Sequence, residues 1–356
     1  MDNKSRLLII QPQPFGELTD SFKWCEYLRE DYNITVLCQY SKNIVSARLQ
    51  GIRVYGIKSI GNRLLRGAIF VAACLLNLLF FHGKIIVVHF EHCEIFKYFF
   101  PKKKMILDIR TLSINKDSNV RTMQNRQIKK ACSKFDIVTI ISEGTKRQLG
   151  LSSSNIYILP LGADCISEIP KSYDTLHLLY VGTFAGRDID KTIIGIDIFK
   201  HQHSDIPITY DIIGSGFNNE VAQYKQLVKE LHLEDSITIH GRIAHTALKP
   251  FFDKCNIGVS FIPITEYYDE QPPTKTFEYV FSGLYTIATA TNANKEIISE
   301  VNGILISDTS DSFADALYRI YLNRHNIYDS DIRKSLCKFS WCNIVNNTLK
   351  SILTSF

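Results

Sequence analysis

Apolar positions fall into two series of short runs. The first is "RLLIIQ", "NITVLCQ", "IIVVHF", "KMILDI" and "IVTIIS"; the second is "LHLLYVG", "ITYDIIG", "ITIHGRI", "IGVSFIP", "LYTIATA" and "GILIS". Runs this short, rich in branched residues and apolar without alternation, predict strands of parallel sheets covered on both faces. The stretches between them have helical spacing. Separating the two series, "YILPLGADCISEIPKSYD" is rich in turn formers and lacks a period, which predicts a linker. The pattern therefore predicts an α/β chain of two doubly wound, Rossmann-like domains, 1–162 and 163–335, each with its ligand crevice at the carboxyl ends of its strands. The spacing of Trp341, Ile344, Leu349 and Ile352 predicts a closing helix within 336–356.

The longest apolar run, "AIFVAACLLNLLFF" (68–81), is interrupted by Asn77 and falls short of the roughly 20 residues that span a bilayer. It is expected to be a buried helix. The first apolar run, "LLII", is too brief for a secretory leader and reads as a strand. The nine cysteines include no C-x-x-C pair, which argues against a zinc knuckle or a disulfide framework and for reduced thiols and a cytoplasmic location.

Net charge changes the picture. Residues 1–162 hold 24 Lys and Arg against 12 Asp and Glu, so the formal +5 of the chain divides into +12 and −7. A basic half suits a phosphate-bearing substrate, an anionic membrane face or nucleic acid. No helix-turn-helix, zinc-finger or RNA-recognition pattern is present, which argues against nucleic acid.

The candidate chemistry of the second half centres on "EQPPTKTFEYVFSG" (270–283). Pro272 and Pro273 suit the entry to a helix starting near Thr274, and Gly283 supplies its stop. Glu270 then lies on the loop before the helix and Glu278 on its second turn. Between them are the first amides of the helix, at Thr274, Lys275 and Thr276, and the positive end of its dipole. That layout can hold a phosphate on amides and Lys275 while the carboxylates reach hydroxyls on either side. An ordinary Lys275–Glu278 surface pair explains the same spacing.

Neighbouring turns shift the balance toward a site. "YVGTFAGRDIDK" sets Gly182 and Gly186 after a strand, with Arg187 and Lys191 on the helix entry; "IIGSG" repeats the small-residue turn at Gly214, and "ITIHGRI" brings Gly241 and Arg242 to a strand end. Small residues admit close backbone approach, and two cations can neutralise a diphosphate. The D-x-D at Asp188 and Asp190 reads as ordinary helix-entry acid, so no metal site is expected.

In this order, "YVGTFAGRDIDK", "IIGSG", "ITIHGRI", "EQPPTKTFEYVFSGLYTIAT" and "NGILI" resemble the nucleotide-sugar-binding half of family-4 glycosyltransferases of the GT-B fold. Glu270 and Glu278 match that family's E-x(7)-E signature, with "PTKTFEY" replacing the commoner glycine-phenylalanine start. "ILPLGAD" resembles the family's linker and "SWCNI" its closing helix. The resemblance implies two domains facing across a cleft, with the C-terminal helix returning to the first. It implies a retaining, metal-independent transfer that needs no cofactor. The donor would be a nucleoside-diphosphate sugar, of uridine or guanosine type, and the acceptor a saccharide or lipid-linked hydroxyl in surface polysaccharide or lipopolysaccharide synthesis. Carried over, Glu278 would bind the ribose, Glu270 would face the donor sugar, and Arg187 and Lys191 would hold the diphosphate.

In the first half the resemblance sets Gly16 against the donor phosphates. "VVHFEHCE" offers His89 at a strand end, and "MILDIRTL" offers Asp108 and Arg110 at the next; many family members have a histidine near the Arg110 position, and this chain has none. Asp108 and Arg110 are the expected functional pair. "FKYFFPKKK" (96–104) interleaves aromatics with lysines, and with the +12 half it suggests peripheral contact with anionic lipid at the inner face of the plasma membrane. Alternative functions are a nucleotide-sugar epimerase on the same architecture and a non-catalytic donor-binding subunit.

Overall fold

The structure is a computed structural model and describes residues 4–41 and 49–355. It divides into two compact units, Met1–Leu161 with Trp341–Phe356, and Gly162–Ser340.

Unit 1 runs β1 (Ser5–Ile10), α1 (Thr19–Leu28), β2 (Tyr32–Gln39), β3 (Arg53–Ile57), α2 (Arg63–Phe80), β4 (Lys84–Val88), α3 (Ile95–Phe99), β5 (Ile106–Ile109), α4 (Ser118–Cys132), β6 (Ile137–Ile140), α5 (Glu143–Gln148) and β7 (Ile156–Ile158). Its seven strands are parallel in the order β3-β2-β1-β4-β5-β6-β7. The central strands β1, β4, β5 and β6 are apolar apart from Asp108, Thr139 and the polar first residues of β1 and β4, and beyond those first residues they are buried on both faces. The edge strands β3 and β7 are only partly buried, and their sequences, "RVYGI" and "IYI", lack a continuous apolar run. The apolar pattern alone passes over both.

The helix expected to be buried at 68–81 is not. The 18-residue α2 buries only Phe70, Cys74 and Leu78 on the sheet, and most of its remaining surface faces solvent. Apolarity all round a helix is an ordinary sign of burial. Here a single stripe packs inward, and the outer face keeps its apolar character without cover from the described residues.

Unit 2 continues with β8 (Leu176–Thr183), α6 (Asp190–Gln202), β9 (Ile208–Ser215), α7 (Glu220–Glu230), β10 (Ile237–Gly241), α8 (Lys249–Lys254), β11 (Ile257–Ser260), α9 (Thr274–Phe281), β12 (Tyr285–Thr289), α10 (Asn292–Lys295), β13 (Gly303–Ile306), α11 (Ser310–Asn323) and α12 (Asp329–Ser335). Its six parallel strands lie in the order β10-β9-β8-β11-β12-β13. The winding reverses between β8 and β11, where such sheets open a crevice beyond their carboxyl ends.

Helix α9 begins directly after Pro272–Pro273 and ends before Gly283, whose φ of +75° gives the left-handed stop. Tyr279 anchors it. The hydroxyl accepts from the Val181 amide at 2.8 Å, and the ring stands where any side chain on Gly258 of β11 would have to go, 2.4 Å from a would-be Cβ. The first turn of α9 is thereby fixed beside the end of β8.

The closing segment returns to unit 1 as α13 (Trp341–Asn343), a π-wound stretch at Ile344–Leu349 and α14 (Lys350–Thr354). Trp341, Ile344, Leu349 and Ile352 are buried, although the helix is less regular than their spacing suggests. All nine cysteines are free thiols.

Candidate functional site

The carboxyl ends of β8, β9 and β10 in unit 2 border a cavity of about 360 Å³, lined by Gly182, Thr183, Gly214, Ser215 and Arg242 among others. Its floor is backbone because two strands approach too closely for anything else. A Cβ on Gly214 would lie 1.8 Å from the Gly182 carbonyl oxygen. At the rim, Gly241 has φ +73°, and a side chain there would meet nothing within 4 Å, so that strand end is open. Arg242 beside it is exposed. His240 is not free for a ligand: its Nε2 donates to Asp211 Oδ1 at 2.6 Å, and Lys254 holds the other oxygen at 2.8 Å.

Two cations meet beside this floor. The turn after β8 is closed by Phe184 N–H donating to the Ser215 carbonyl at 2.9 Å, with Gly186 (φ +64°) and Asp188 (φ +49°) in left-handed conformation. That turn lays the Arg187 guanidinium over the Tyr268 ring, 4.1 Å from its centroid, and leaves Nη1 buried without a hydrogen-bond partner. Lys275, on the first turn of α9, sets Nζ over the Tyr180 ring at 3.8 Å and about as far, 3.7 Å, from where a Cβ on Gly182 would stand. Burial first, and the Arg187 charge second, hold the Lys275 ammonium well below the usual lysine range. Among the described residues no carboxylate is ion-paired with either group. Two partly buried cations, one guanidinium nitrogen unsatisfied, make an arrangement suited to an anion.

Lys191, unlike this pair, has a carboxylate beside it. Its Nζ is 3.1 Å from Asp188 Oδ2 on a partly exposed turn. That contact occupies an aspartate of the D-x-D, and no His, Cys, Asp and Glu grouping fit for a metal occurs among the described residues.

Each of the two glutamates has a side-chain partner from elsewhere in unit 2. Glu278, largely buried, accepts from His245 Nε2 at 3.0 Å. Glu270 accepts from Asn292 Nδ2 at 3.0 Å, and the same amide group donates to Asp269 at 2.7 Å. Both carboxylates are therefore oriented by partners far along the chain. Pro273 is the N-cap residue of α9, and among the described residues no side chain caps the helix, so the first amides, from Thr274 on, have no side-chain acceptor.

Unit 1 differs. Asp108 is fully buried at the end of β5, with Oδ1 accepting from Thr139 at 2.7 Å and Oδ2 3.1 Å from Arg110 Nε. Burial pushes its carboxyl up to about 6 against the pull of Arg110. Arg110 in turn donates to Asp20 Oδ1 at 2.6 Å and to the Leu159 carbonyl, beside the Trp24 ring. Burial alone would lower the Arg110 value, but Asp108 and Asp20 outweigh it and raise it. A group that reacts with a substrate hydroxyl needs an accessible oxygen, and Asp108 has none. The geometry makes this pair a brace joining β5 to α1, where the sequence leads to the expectation of a functional pair. His89 follows β4, partly buried, and burial lowers its value to about 4, so its ring is neutral at pH 7. Gly16 is exposed with φ +94° in the turn after β1.

Tyr180, Tyr268, His245 and Asn292 were not singled out from the sequence. Tyr180 opens the "YVGTFAGRDIDK" stretch and Tyr268 stands two residues ahead of Glu270; His245 and Asn292 meet their partners through the fold alone.

Residues 175–323, most of unit 2, match the family model described as Glycosyl transferases group 1. No curated protein matches the chain by sequence. Solved structures similar over nearly the whole chain include sucrose-phosphate synthase from Thermosynechococcus elongatus (15% identity, TM-score 0.76, 99% of this chain and 100% of that one). Anabaena HepE in complex with UDP is similar at 14% identity and TM-score 0.74, again over 99% and 100%. The lipopolysaccharide outer core galactosyltransferase WaaB is similar at 15% identity and TM-score 0.73, over 99% and 100%. These likenesses establish the GT-B fold expected from the sequence, with two parallel α/β sheets.

Proposed function

We propose that the chain is a glycosyltransferase that moves a sugar from a nucleoside-diphosphate sugar to a hydroxyl of a saccharide or lipid-linked acceptor. The observation that carries this reading is the Arg187–Lys275 pair, without a counter-ion among the described residues, beside a glycine floor in the unit that also holds the oriented Glu270 and Glu278. A pyrophosphate supplies the missing charge, and hydroxyl-bearing rings lie on either side of it in such a donor. The match of residues 175–323 to Glycosyl transferases group 1, and HepE's complex with UDP, support a nucleotide-sugar donor, whose base we take to be uridine or guanosine.

In this reading Glu278 takes the ribose hydroxyls, exchanging its His245 contact for them, and Glu270 faces the donor sugar. Arg187, Lys275 and Lys191 stabilise the leaving diphosphate as the bond from the anomeric carbon to phosphate oxygen breaks and the electron pair passes to the phosphate. The acceptor oxygen then bonds to the same face of the oxocarbenium-like sugar, and its proton goes to the departing diphosphate. Configuration is retained and no metal is required. The chain would work in the cytoplasm, in assembly of a surface polysaccharide or lipopolysaccharide.

A second reading, donor binding without transfer, has one observation in its favour: the buried Asp108 leaves that strand end without an accessible carboxylate. Incubation with UDP- and GDP-sugars, with and without saccharide and lipid-linked acceptors, followed by product analysis, separates the readings. Transfer that requires acceptor supports the proposal. An altered sugar from donor alone indicates an epimerase, and bound but unchanged donor with every acceptor indicates a binding subunit.

A further inference from the structure

Helix α2 is apolar on the wrong side. Its inward stripe, Phe70, Cys74 and Leu78, joins the core that holds Leu8, Ile10 and Val87 of the central strands. The opposite face carries Leu65, Ala72, Leu76 and Leu79, all exposed, and Phe80 ends the row at 72% exposure. A soluble helix places polar side chains there. Here the one interior polar side chain, Asn77, turns its amide back to the Ala73 carbonyl at 2.9 Å.

The charges around this face have one sign. Arg63 and Arg66 open the helix, and between Asp31 and Glu91 the chain contains no acidic residue and seven basic ones. At the other end Lys103 donates to the Phe81 carbonyl at 2.6 Å, which ties the basic turn 102–104 to the helix terminus. Beside that turn, α3 exposes Tyr98 and Phe99, with their rings in edge contact.

We propose that α2, with the α3 aromatics and the Lys102–Lys104 turn, is a docking surface for an anionic lipid bilayer, with the helix lying in the plane of the interface. Spanning is excluded by the inward stripe, because lifting α2 out would strip the central sheet of its cover. A second copy of the chain is disfavoured as occupant, since a two-fold contact through this face would oppose arginines and lysines of like sign. A basic rim around exposed leucines and aromatics complements acidic headgroups above acyl chains. The proposal extends the acceptor side of the reading above and rests on it only for the idea that the acceptor is lipid-borne. Vesicle binding is measured without donor, so its failure leaves donor binding in unit 2 untouched.

The test is sedimentation of the full chain with vesicles of phosphatidylcholine alone or phosphatidylcholine doped with phosphatidylglycerol, together with gel filtration. The wild type is expected to sediment with the doped vesicles. Leu76→Glu/Leu79→Glu, both exposed and so harmless to folding as checked by circular dichroism, is expected to lower binding at least about tenfold. Lys102→Ala/Lys104→Ala is expected to weaken it by about fivefold per lysine at low salt. The proposal is overturned if the wild type binds neither vesicle, or if the Leu76→Glu/Leu79→Glu variant sediments like the wild type. It is also overturned if the wild type fails to bind and elutes as a dimer that this variant splits, which would make a second copy the occupant.

Discussion

The two units share a winding and differ in what they do with charge at the strand ends. In unit 1, Arg110 lies between Asp108 and Asp20, and its charge is met internally. In unit 2, Arg187 and Lys275 lie over aromatic rings, and among the described residues no carboxylate is paired to either. A cluster in which the base stands beside acids is a brace, even though Asp108 Oδ2 and Arg110 Nε, 3.1 Å apart, make no well-formed hydrogen bond. An unneutralised one holds energy that a ligand of opposite sign releases. The same scaffold thus yields a structural knot in one half and a candidate site in the other, according to whether acids accompany the bases.

The largest effect should come from breaking the knot. Arg110→Ala leaves two buried carboxylates facing each other and is expected to cost about 3–5 kcal/mol, read as a lowered denaturation midpoint by circular dichroism. If Arg110 instead contacts substrate, stability stays near wild type and activity alone falls.

Arg187→Ala removes a cation from the unpaired cluster. It should cost no stability, and turnover with the correct donor and acceptor should fall about 10²–10³-fold, measured as kcat. Glu278→Ala is expected to weaken donor binding by about 1.5–3 kcal/mol through loss of charge-assisted hydrogen bonds, measured by calorimetry. Undiminished donor affinity in that variant would remove its ribose role.

The smallest effect has the most specific sign. Lys275 has a folded-state value well below the ordinary 10.5. Between the two values the unfolded chain holds a proton that the native state lacks, so stability rises with pH there; below the lowered value the penalty of a buried charge is present in full. Lys275→Met should therefore raise the melting temperature of the free protein at neutral pH, by about 2–4 °C for each kcal/mol relieved. The gain should shrink as pH approaches 10.5. Wild-type affinity for a nucleoside diphosphate should fall as pH rises through the lowered lysine value, and the variant should show no such fall.

How much was legible in the sequence follows the same physical lines. Strands covered on both faces, such as "LLII" in β1 and "LHLLYV" in β8, announce themselves because burial demands apolar residues at every position. The edges β3 and β7 do not, since one side of each is wet. The limits of α9 could be read from Pro272, Pro273 and Gly283, which act through local backbone geometry. What α2 faces could not, because an apolar helix looks the same in sequence whether protein or something else is to cover it. Candidate cations and glutamates could be named from their spacing, but their partners, Tyr268 under Arg187, His245 at Glu278 and Asn292 at Glu270, are fixed by tertiary folding. The bracing of Asp108 by Thr139 was likewise hidden, as it joins neighbouring strands 31 residues apart.

Calorimetric titration of UDP and GDP into the wild type, Arg187→Ala and Lys275→Met tests the central claim most directly. The expected result is that at least one of the two nucleotides binds the wild type and loses at least about tenfold in affinity, roughly 1.4 kcal/mol, in each variant. Binding of neither nucleotide, or binding that is equally tight in both variants, would contradict the claim that this cation pair is where a diphosphate is held.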